Sequence, residues 1–493
     1  MDHEEAAPLA RLFYTDDNGR CGDFIPFRHD GTWHLFQIDT RDSSWKHVTT
    51  RDLVRFVDHG QAIAPGSPDS QDRAIFTGCV VEKDGRLHIF YTGHNPDFQK
   101  VGLDHMQVVL RAESDDLMTW RKRPGWALPP ATEHYGTGGW RDPHVFWNEE
   151  AGAYWMVLAG SLADIGNREP GSTALLVSED LENWEARPSI YAPGLFNSHE
   201  CPDLFRIGDW WYLVFSTYRW QWETRYRMAR TPAGPWQVPP DDVLDGRAYY
   251  AAKTAKTASD GDRRLLFGWA SVKTGDEDAG KYEWGGTLVA HELAQRADGT
   301  LRAFMPEEIG AALPGRMALT PEPEQGAWRI DGTTFGADSR EGFSYLHLGE
   351  LPDPCVVETE IDWEAGSAGF GVMLRATRPM HPQAKWYQVR FDPGRGRFAF
   401  DRSSRSWDDF GYVEERPVVL DPAAPISLKI VVSETMFVTY VNDEVALTAR
   451  GYDLRSGGLG LFVTEGAATF RDVRVRTAGG GSSVKEESGH DAE

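Results

Sequence analysis

Residues 197–205 read Asn-Ser-His-Glu-Cys-Pro-Asp-Leu-Phe and lie just before a strand-like apolar run. Two similar arrangements occur earlier, with Trp-Arg-Asp-Pro-His-Val-Phe at 140–146 and Gly-Asp-Phe-Ile-Pro-Phe at 22–27. Each stretch places a carboxylate ahead of apolar residues, where burial would raise its pKa. One such carboxylate alone is typical of a cap or a solvated loop, but the recurrence of the arrangement predicts a fold built from repeated units.

The same pattern organises the chain to about residue 300. A turn, a buried strand, a loop, a second strand and a turn ending in an aromatic residue recur roughly every 55–65 residues, which is typical of β-propeller blades. Five such units predict a five-bladed propeller in which the innermost strands begin at the central axis. Asp23, Asp142 and Glu200 belong to the openings of blades one, three and four, so we expect them to converge at one end of the channel.

The region after the repeats changes character, although the expected fold class stays all-β. We assign residues 1–310 to the propeller, with a short helix expected at 306–313, and the Pro- and Gly-containing residues 311–330 to a linker. Residues 331–477 alternate apolar and polar positions and favour a β-sandwich, whose expected role is to cover the propeller and add stability. Residues 478–493 have the composition of a disordered tail.

The composition narrows the class of partner. The formal net charge of −24 argues against nucleic acid and an anionic membrane surface, and fits a neutral substrate. The 19 tryptophans are typical of aromatic-rich all-β proteins and of sites that stack on sugar rings. The four cysteines are widely spaced without a CxxC pair, so we expect no disulfide framework, no metal site and no cofactor. No signal-peptide pattern or transmembrane run is visible, which predicts a cytoplasmic protein unless a leader was removed.

Three motifs, in order and at blade spacing, resemble those of glycoside hydrolase family 32, the invertase, levanase and inulinase family. They are Phe-Thr-Gly at 76–78, Trp-Arg-Asp-Pro at 140–143 and Glu-Cys-Pro-Asp-Leu-Phe at 200–205. Trp45 and His47 add a supporting match in the first blade. The resemblance covers nearly the whole chain, since members have a five-bladed propeller followed by a β-sandwich. It implies a retaining glycosidase that releases terminal β-fructofuranosyl units from sucrose or fructans.

The resemblance also implies roles for the three carboxylates. Asp23 corresponds to the nucleophile, Glu200 to the acid/base, and Asp142 to the group that holds sugar hydroxyls and stabilises the oxocarbenium-like transition state. A retaining enzyme needs its nucleophile and acid about 5–5.5 Å apart. Arg141 is expected to bind the sugar or to keep Asp142 ionised. The further candidates for substrate binding are Trp45, His47, Phe76, Thr77 and Trp284.

The first motif departs from the family's Trp-Met-Asn-Asp-Pro-Asn-Gly. Gly22 replaces the asparagine before the nucleophile, and Gln37 comes one residue early after the His-Leu-Phe run, so its side chain should face the other way. A fructosyl-transferring or arabinofuranosidase-type activity, or a non-catalytic glycan-binding propeller, are therefore alternatives. Asp17 is an alternative nucleophile, but it lies 17 residues before His34, whereas Asp23 lies 11 before it, near the family spacing.

Overall fold

The regular structure of this protein is almost entirely β. The computed structural model describes residues 9–163, 165–166, 168–218, 222–257, 263–403 and 413–479. Within these ranges one short helix, α1 (Glu307–Ala311), lies where a helix is expected, and two 3-10 turns occur at Thr274–Asp276 and Pro393–Arg395. No helix in the described ranges is long and apolar enough to cross a membrane. The all-β class predicted from the sequence is confirmed.

The N-terminal part of the chain forms five antiparallel blades. The innermost strands contact one another in a closed ring that runs from blade one to blade five and back. A bridge between Cys21 and Gly286 joins the sheets of blades one and five. The five-bladed propeller predicted from the repeats is therefore confirmed. From the axis outwards the strands are β1 (Cys21–His29), β2 (Thr32–Asp39), β3 (Trp45–Thr50) and β4 (Phe56–Ile63) in blade one; β5 (Ala74–Lys83), β6 (Arg86–His94), β7 (Gln107–Ser114) and β8 (Arg121–Leu128) in blade two; β9 (Arg141–Asn148), β10 (Ala153–Ser161), β11 (Gly171–Ser178) and β12 (Glu185–Tyr191) in blade three; β13 (Glu200–Ile207), β14 (Trp210–Thr217) and β15 (Glu223–Ala229) in blade four; and β16 (Tyr249–Lys256), β17 (Arg264–Lys273), β18 (Tyr282–Gln295) and β19 (Leu301–Phe304) in blade five.

The repeated Asp-Leu sequence forms the turn between the third and fourth strands of a blade. In blade two the Asp116 carboxylate accepts hydrogen bonds from backbone N–H groups two and three residues later, and these bonds hold the pKa of Asp116 at about 2. Leu117 is buried with a φ of 63°, and the Trp120 indole donates to its carbonyl oxygen at 3.0 Å. Asp180 makes the same turn in blade three. This turn explains why the pattern recurs at blade spacing.

Each innermost strand has an irregularity in its pairing close to its first residues. A β-bulge bends a strand and re-aims its side chains. Asp142 and Cys201 have positive φ angles of 61° and 49° within these irregularities. The register shifts lie between Cys21 and Phe24 in β1, Phe76 and Gly78 in β5, Arg141 and His144 in β9, Glu200 and Asp203 in β13, and Tyr250 and Lys253 in β16. All five blades therefore distort their innermost strand at the same end of the channel.

The C-terminal part of the chain forms the expected β-sandwich, with two sheets around one apolar core. One sheet contains β20 (Gly315–Arg316), β22 (Trp328–Asp331), β23 (Thr334–Asp338), β25 (Cys355–Trp363), β30 (Ile426–Ser433), β31 (Met436–Val441), β32 (Val445–Arg450) and β34 (Ala467–Thr477). The other contains β21 (Glu322–Gln325), β24 (Phe343–Glu350), β26 (Gly369–Ala376), β27 (Trp386–Asp392), β28 (Arg397–Ser403), β29 (Glu414–Pro417) and β33 (Gly458–Thr464).

Residues expected to form a linker at 311–330 instead contribute strands to the sandwich. β20 pairs with β34, β21 with β24 and β22 with β23. Proline has no N–H to donate, and it is tolerated there because one side of an edge strand faces no neighbouring strand. The sheets of the sandwich therefore begin before residue 331. The predicted tail at 478–493 lies outside the described residues from residue 480 onwards.

The propeller and the sandwich share a buried interface. One apolar cluster includes Tyr249 of blade five and Val356 of the sandwich. A buried polar contact lies beside it, where Asp245 accepts hydrogen bonds from the backbone N–H and the hydroxyl of Thr448, both at 2.6 Å. Nε2 of His291 lies 2.8 Å from the same carboxylate. The interface is thus a continuous piece of the protein interior.

Candidate active site

Asp23 lies in the bulge of β1 and is only 7% exposed. Its Oδ2 accepts a hydrogen bond from the Thr77 hydroxyl, and its Oδ1 accepts one from the Trp269 indole N–H at 2.8 Å. The Cys201 thiol lies 3.5 Å from Oδ2. Burial raises the pKa of Asp23, and the hydrogen bonds from Thr77 and Trp269 oppose that rise. Asp23 is therefore a buried carboxylate whose ionised form is stabilised by donors from other blades.

Asp142 lies beside Asp23, in the bulge of β9. Its Oδ2 accepts a hydrogen bond from the backbone N–H of Cys201 at 3.1 Å and lies 4.0 Å from the Cys201 thiol. Its own backbone N–H donates to the Thr92 hydroxyl at 2.8 Å. Burial raises the pKa of Asp142 to about 7, although the neighbouring Arg141 guanidinium opposes the shift. One cysteine thus contacts both aspartates.

Glu200 completes the group from the start of β13. Its Oε1 accepts a hydrogen bond from Arg141 at 2.7 Å, and its Oε2 accepts one from the Tyr250 hydroxyl at 2.6 Å. The same Arg141 nitrogen donates to the Ser198 hydroxyl at 2.8 Å. The Glu200 side chain is 22% exposed, against 5% for that of Asp142. Glu200 is therefore the more accessible of these two carboxylates, as a group that exchanges protons with a substrate must be.

Blade five supplies hydrogen-bond donors to two of the three carboxylates. Tyr250 on β16 and Trp269 on β17 are directly paired across the two strands. Burial raises the pKa of Tyr250 well above its ordinary value, which keeps its hydroxyl protonated as a donor to Glu200. Neither residue lies in one of the motifs that mark the carboxylates, so the sequence does not identify them as part of the site. For Tyr250, the one signal in the sequence is its position, since it lies near the start of the innermost strand of blade five as Asp23 does in blade one.

Two predicted substrate contacts are wrong. Trp45 is fully buried, and its indole N–H donates to the Phe76 carbonyl oxygen at 3.1 Å. His47 is also buried; its ring stacks on Phe36 at 4.5 Å, and its Nε2 lies 3.0 Å from Nδ1 of His34. Both residues lie on β3, the third strand from the axis, so their side chains pack within and between blades and do not reach the channel.

The structure distinguishes the remaining candidates for substrate binding. Thr77 is fully buried and holds Asp23 through its hydroxyl. Phe76 is half-buried and stacks on His94 at 4.5 Å. Trp284 is 38% exposed. Phe76 and Trp284 are therefore accessible enough to form aromatic walls, and their contacts with a sugar stay predictions.

The departure at Gly22 has a structural counterpart. A Cβ atom at this position would lie 2.6 Å from Cη2 of Trp284 and 2.8 Å from Cβ of Ile38. Trp284 and Ile38 therefore occupy the space that the family's asparagine side chain would need.

Gln37 is buried next to Ile38, and its amide nitrogen and oxygen have no hydrogen-bond partner among the described residues. Neighbouring strand residues point to opposite faces, so Gln37 faces away from Gly22, as expected.

Asp17 does not take part in the carboxylate group. Its side chain is 72% exposed and lies 3.2 Å from Lys46 and 3.3 Å from Arg41. Asp23 is the aspartate of this region that contacts Cys201. Asp23 therefore lies in the carboxylate group and Asp17 does not, and the role of Asp23 as nucleophile stays a prediction. In the part of the chain that the structure describes, no group of three or more His, Cys, Asp or Glu side chains is arranged to hold a metal ion.

Carboxylates that converge from the innermost strands of a propeller, each held by neighbouring donors, are the groups that a glycosidase working with paired carboxyl groups needs. A family model described as the glycosyl hydrolases family 32 N-terminal domain matches residues 24–300. The model described as the glycosyl hydrolases family 32 C terminal matches residues 341–477. The chain belongs to glycoside hydrolase family 32.

Individual relatives agree with this assignment. A sucrose-6-phosphate hydrolase of Bacillus subtilis is 30% identical over 264 residues, which is 50% of this chain and 52% of that protein, so the match spans about half of the relative. A raffinose invertase of Escherichia coli is 25% identical over 455 residues, covering 87% of this chain and 85% of the relative. The crystal structure of exo-inulinase from Aspergillus awamori superimposes with a TM-score of 0.72 at 18% identity, covering 97% of this chain and 98% of that one, and thus shares the fold.

Proposed function

We propose that this protein is a retaining glycosidase that releases terminal β-fructofuranosyl units from sucrose or fructans. The observation that carries the proposal is the convergence of Asp23, Asp142 and Glu200 from three blades around Cys201. In this proposal Asp23 is the nucleophile and Glu200 the acid/base. Asp142 stabilises the positive charge that develops on the sugar ring.

The first step forms a glycosyl-enzyme ester. A carboxylate oxygen of Asp23 bonds to the anomeric carbon while the bond from that carbon to the leaving oxygen breaks. Glu200 gives its proton to the leaving oxygen, which departs as an alcohol. Arg141 and Tyr250 hold the two Glu200 oxygens in place during this transfer. The step needs no group beyond the side chains already described.

The second step returns the enzyme to its starting state. Glu200 takes a proton from water, and the water oxygen bonds to the anomeric carbon as the ester bond to Asp23 breaks. The Thr77 hydroxyl and the Trp269 indole N–H are already placed on the departing carboxylate. Two displacements at one carbon leave the product with the configuration of the substrate.

The names of the relatives favour fructose-containing substrates. The proteins compared above are a sucrose-6-phosphate hydrolase, a raffinose invertase and an exo-inulinase. The charges near the site favour a neutral sugar over a phosphorylated one. Arg141 is paired with Glu200 at 2.7 Å, and Arg20, which contacts the Trp284 backbone, is paired with Glu283 at 2.8 Å. A phosphate group at either of these two arginines would compete with the carboxylate already paired to it.

A substrate panel tests the proposal. Fructose and arabinose release should be measured with sucrose, sucrose 6-phosphate, raffinose, inulin, levan and arabinan, for the wild type and for Glu200→Gln. We expect free fructose from the unphosphorylated fructosides, and a kcat at least about 100-fold lower in Glu200→Gln with a smaller change in KM, because the amide cannot donate the proton. Release of arabinose alone, or a variant that keeps more than about a tenth of the rate, contradicts the proposal.

A further inference from the structure

One sandwich side chain is buried in the propeller beside the candidate active site. Arg450 is the last residue of β32 and is only 6% exposed. Its guanidinium donates to the carbonyl oxygens of Ser271 at 2.6 Å and Ala270 at 2.9 Å, and to the Thr287 hydroxyl at 2.6 Å. A fourth hydrogen bond, to the Thr435 hydroxyl at 2.7 Å, returns to the sandwich. All four acceptors are uncharged.

Two of these four acceptors directly follow Trp269, one of the residues that hold Asp23. Ala270 and Ser271 follow Trp269 on β17, and the Trp269 indole N–H donates to Asp23. Thr287 is paired with Ala270 across β17 and β18, so one Arg450 nitrogen contacts both members of that pair. The residue before Thr287 bridges to the strand that carries Asp23. Arg450 therefore fastens the ends of two strands where blade five meets blade one.

The chemistry of the side chain suits this task. Placing a charged group in the interior costs solvation, and uncharged acceptors return less of that free energy than a carboxylate would. The guanidinium is planar and rigid, so several directed hydrogen bonds fix the strands in one geometry. Lysine carries the same charge but lacks the planar group with several N–H donors in fixed directions. The ionisable groups around Arg450 are Tyr452 and Glu434 of the sandwich and Asp276 and Tyr282 of blade five.

We propose that Arg450 is a positioning residue of the sandwich domain, which acts through Trp269 to hold the carboxylate of Asp23. The proposal rests on the proposed function, since it takes Asp23 as the nucleophile. It assigns to the sandwich a part in the site that goes beyond covering the propeller.

The proposal makes a pH-dependent prediction. The Trp269 hydrogen bond favours the ionised form of Asp23 and lowers its pKa, against burial, which raises it. If Trp269 moves, the pKa of Asp23 rises further, so the nucleophile loses its proton only at a higher pH. The acidic limb of the rate profile should then move to higher pH. Among the described residues, the other groups facing Asp23 are Thr77 of blade two, Asp142 of blade three, Glu200 and Cys201 of blade four, and Tyr250 of blade five. Arg141 lies beside Asp142, at 3.7 Å.

The test compares Arg450→Lys with Arg416→Lys. Arg416 is a matched control because it is also a buried sandwich arginine, and it donates to Asp241 at 2.7 Å and to the Val243 carbonyl oxygen at 2.6 Å, away from β17 and β18. We expect both variants to lower Tm. Only Arg450→Lys should lower kcat by about tenfold with little change in KM and move the acidic limb upward, as expected for one hydrogen bond to a charged group.

A second readout does not depend on turnover. The indole N–H resonance of Trp269, assigned by its loss in Trp269→Phe, should shift as Asp23 titrates, and its midpoint should be higher in Arg450→Lys than in the wild type. Should Arg450→Lys fail to fold, Thr287→Val removes one of the same contacts and should give a smaller change in the same direction.

Superimposable pH–rate profiles and Trp269 titration curves in the wild type and these variants overturn the inference, as does an equal effect of Arg416→Lys on kcat. Inactivity of the wild type on the sugar panel counts against the proposed function alone.

Discussion

Asp142 carries a stability cost that can be measured. Burial raises its pKa from the ordinary 3.8 to about 7, because the ionised carboxylate is poorly solvated. Folding therefore favours the protonated form. The stability that this proton contributes is fully present below pH about 4 and is lost as the pH rises through about 7.

Replacing this carboxylate should separate stability from activity. Asp142→Asn removes the buried charge, so Tm should rise at pH 8, and the gain should vanish near pH 4. A pKa rise of about three units corresponds to at most about 4 kcal/mol at pH 8. The same variant should lower kcat more than it raises KM, because the contacts that the Asp142 carboxylate makes with the sugar strengthen in the transition state and are lost in the variant. Thermal unfolding at several pH values with parallel kinetics checks both points; a stability difference independent of pH contradicts the account.

Tyr250 offers a test of how Glu200 is held. Tyr250→Phe removes the donor to Oε2 of Glu200, and we expect kcat to fall about 10- to 100-fold, since hydrogen bonds to charged groups contribute about 1.5–3 kcal/mol. Tyr249→Phe is the matched control, because that residue lies on the same strand, packs in the cluster shared with the sandwich, and its hydroxyl donates to the Leu266 carbonyl oxygen at 3.3 Å and not to Asp23, Asp142 or Glu200. Equal kcat values in the two variants would remove Tyr250 from the site.

At the scale of residues, the sequence identifies the carboxylates and misses their supports. Asp23, Asp142 and Glu200 follow from motifs because they recur at the same place in a repeat. Tyr250 and Trp269 come from blade five, one of the two blades without a carboxylate in the site, and no motif marks them. Trp45 was assigned to the site from its motif, although its strand is remote from the axis.

At the scale of elements, β1 shows how one strand adapts to its neighbours. Gly22 allows the strand to pass close to Trp284, whose ring fills the space that a side chain at position 22 would need. The consequence is that an indole ring and Ile38 occupy the space where relatives with asparagine would place an amide. The change at one position is thus coupled to a second position on β18.

This coupling can be measured with a double-mutant cycle. Gly22→Asn should destabilise the protein by about 1–3 kcal/mol, because the new Cβ would overlap the Trp284 ring. Adding Trp284→Ala should cost less in the Gly22→Asn background than in the wild type, since the ring that clashes is gone. Chemical denaturation of the four proteins gives the cycle. Additive losses would show that the two positions are independent.

The elements themselves were predictable where local pattern and tertiary packing agree. Alternating strands and Asp-Leu turns predict the blades, because the turn chemistry is local. The stretch 311–330 was misread, since its prolines and polar residues resemble a linker but lie on sheet edges. The bulges were also invisible, because a register shift depends on the partner strand.

At the scale of the whole molecule, propeller and sandwich behave as one structural unit. The shared cluster places Val356 against propeller residues, and Asp245 and His291 of the propeller form a buried contact with Thr448 of the sandwich. A propeller without the sandwich would expose this surface and remove the two hydrogen bonds that Asp245 accepts from Thr448. Such losses are among the larger destabilising changes.

We therefore expect a single cooperative unfolding transition for the full chain. A fragment ending at residue 313 should be largely insoluble or aggregated, because its apolar face is uncovered. Calorimetry of the full chain and size-exclusion chromatography of the fragment check these points. Two separate transitions, or a monomeric fragment with full activity, would show that the domains are independent.

The identity of the nucleophile is the central claim, and trapping the glycosyl-enzyme tests it most directly. Glu200→Gln should be incubated with β-fructofuranosyl fluoride, whose leaving group departs without a proton from the enzyme, and the protein digested and analysed by mass spectrometry. Because the variant lacks the base needed to activate water, the intermediate should accumulate, and the account predicts one fructosyl group on the peptide at Asp23. A fructosyl group on Asp142 or Asp17, or turnover of the fluoride with no covalent adduct, would contradict it.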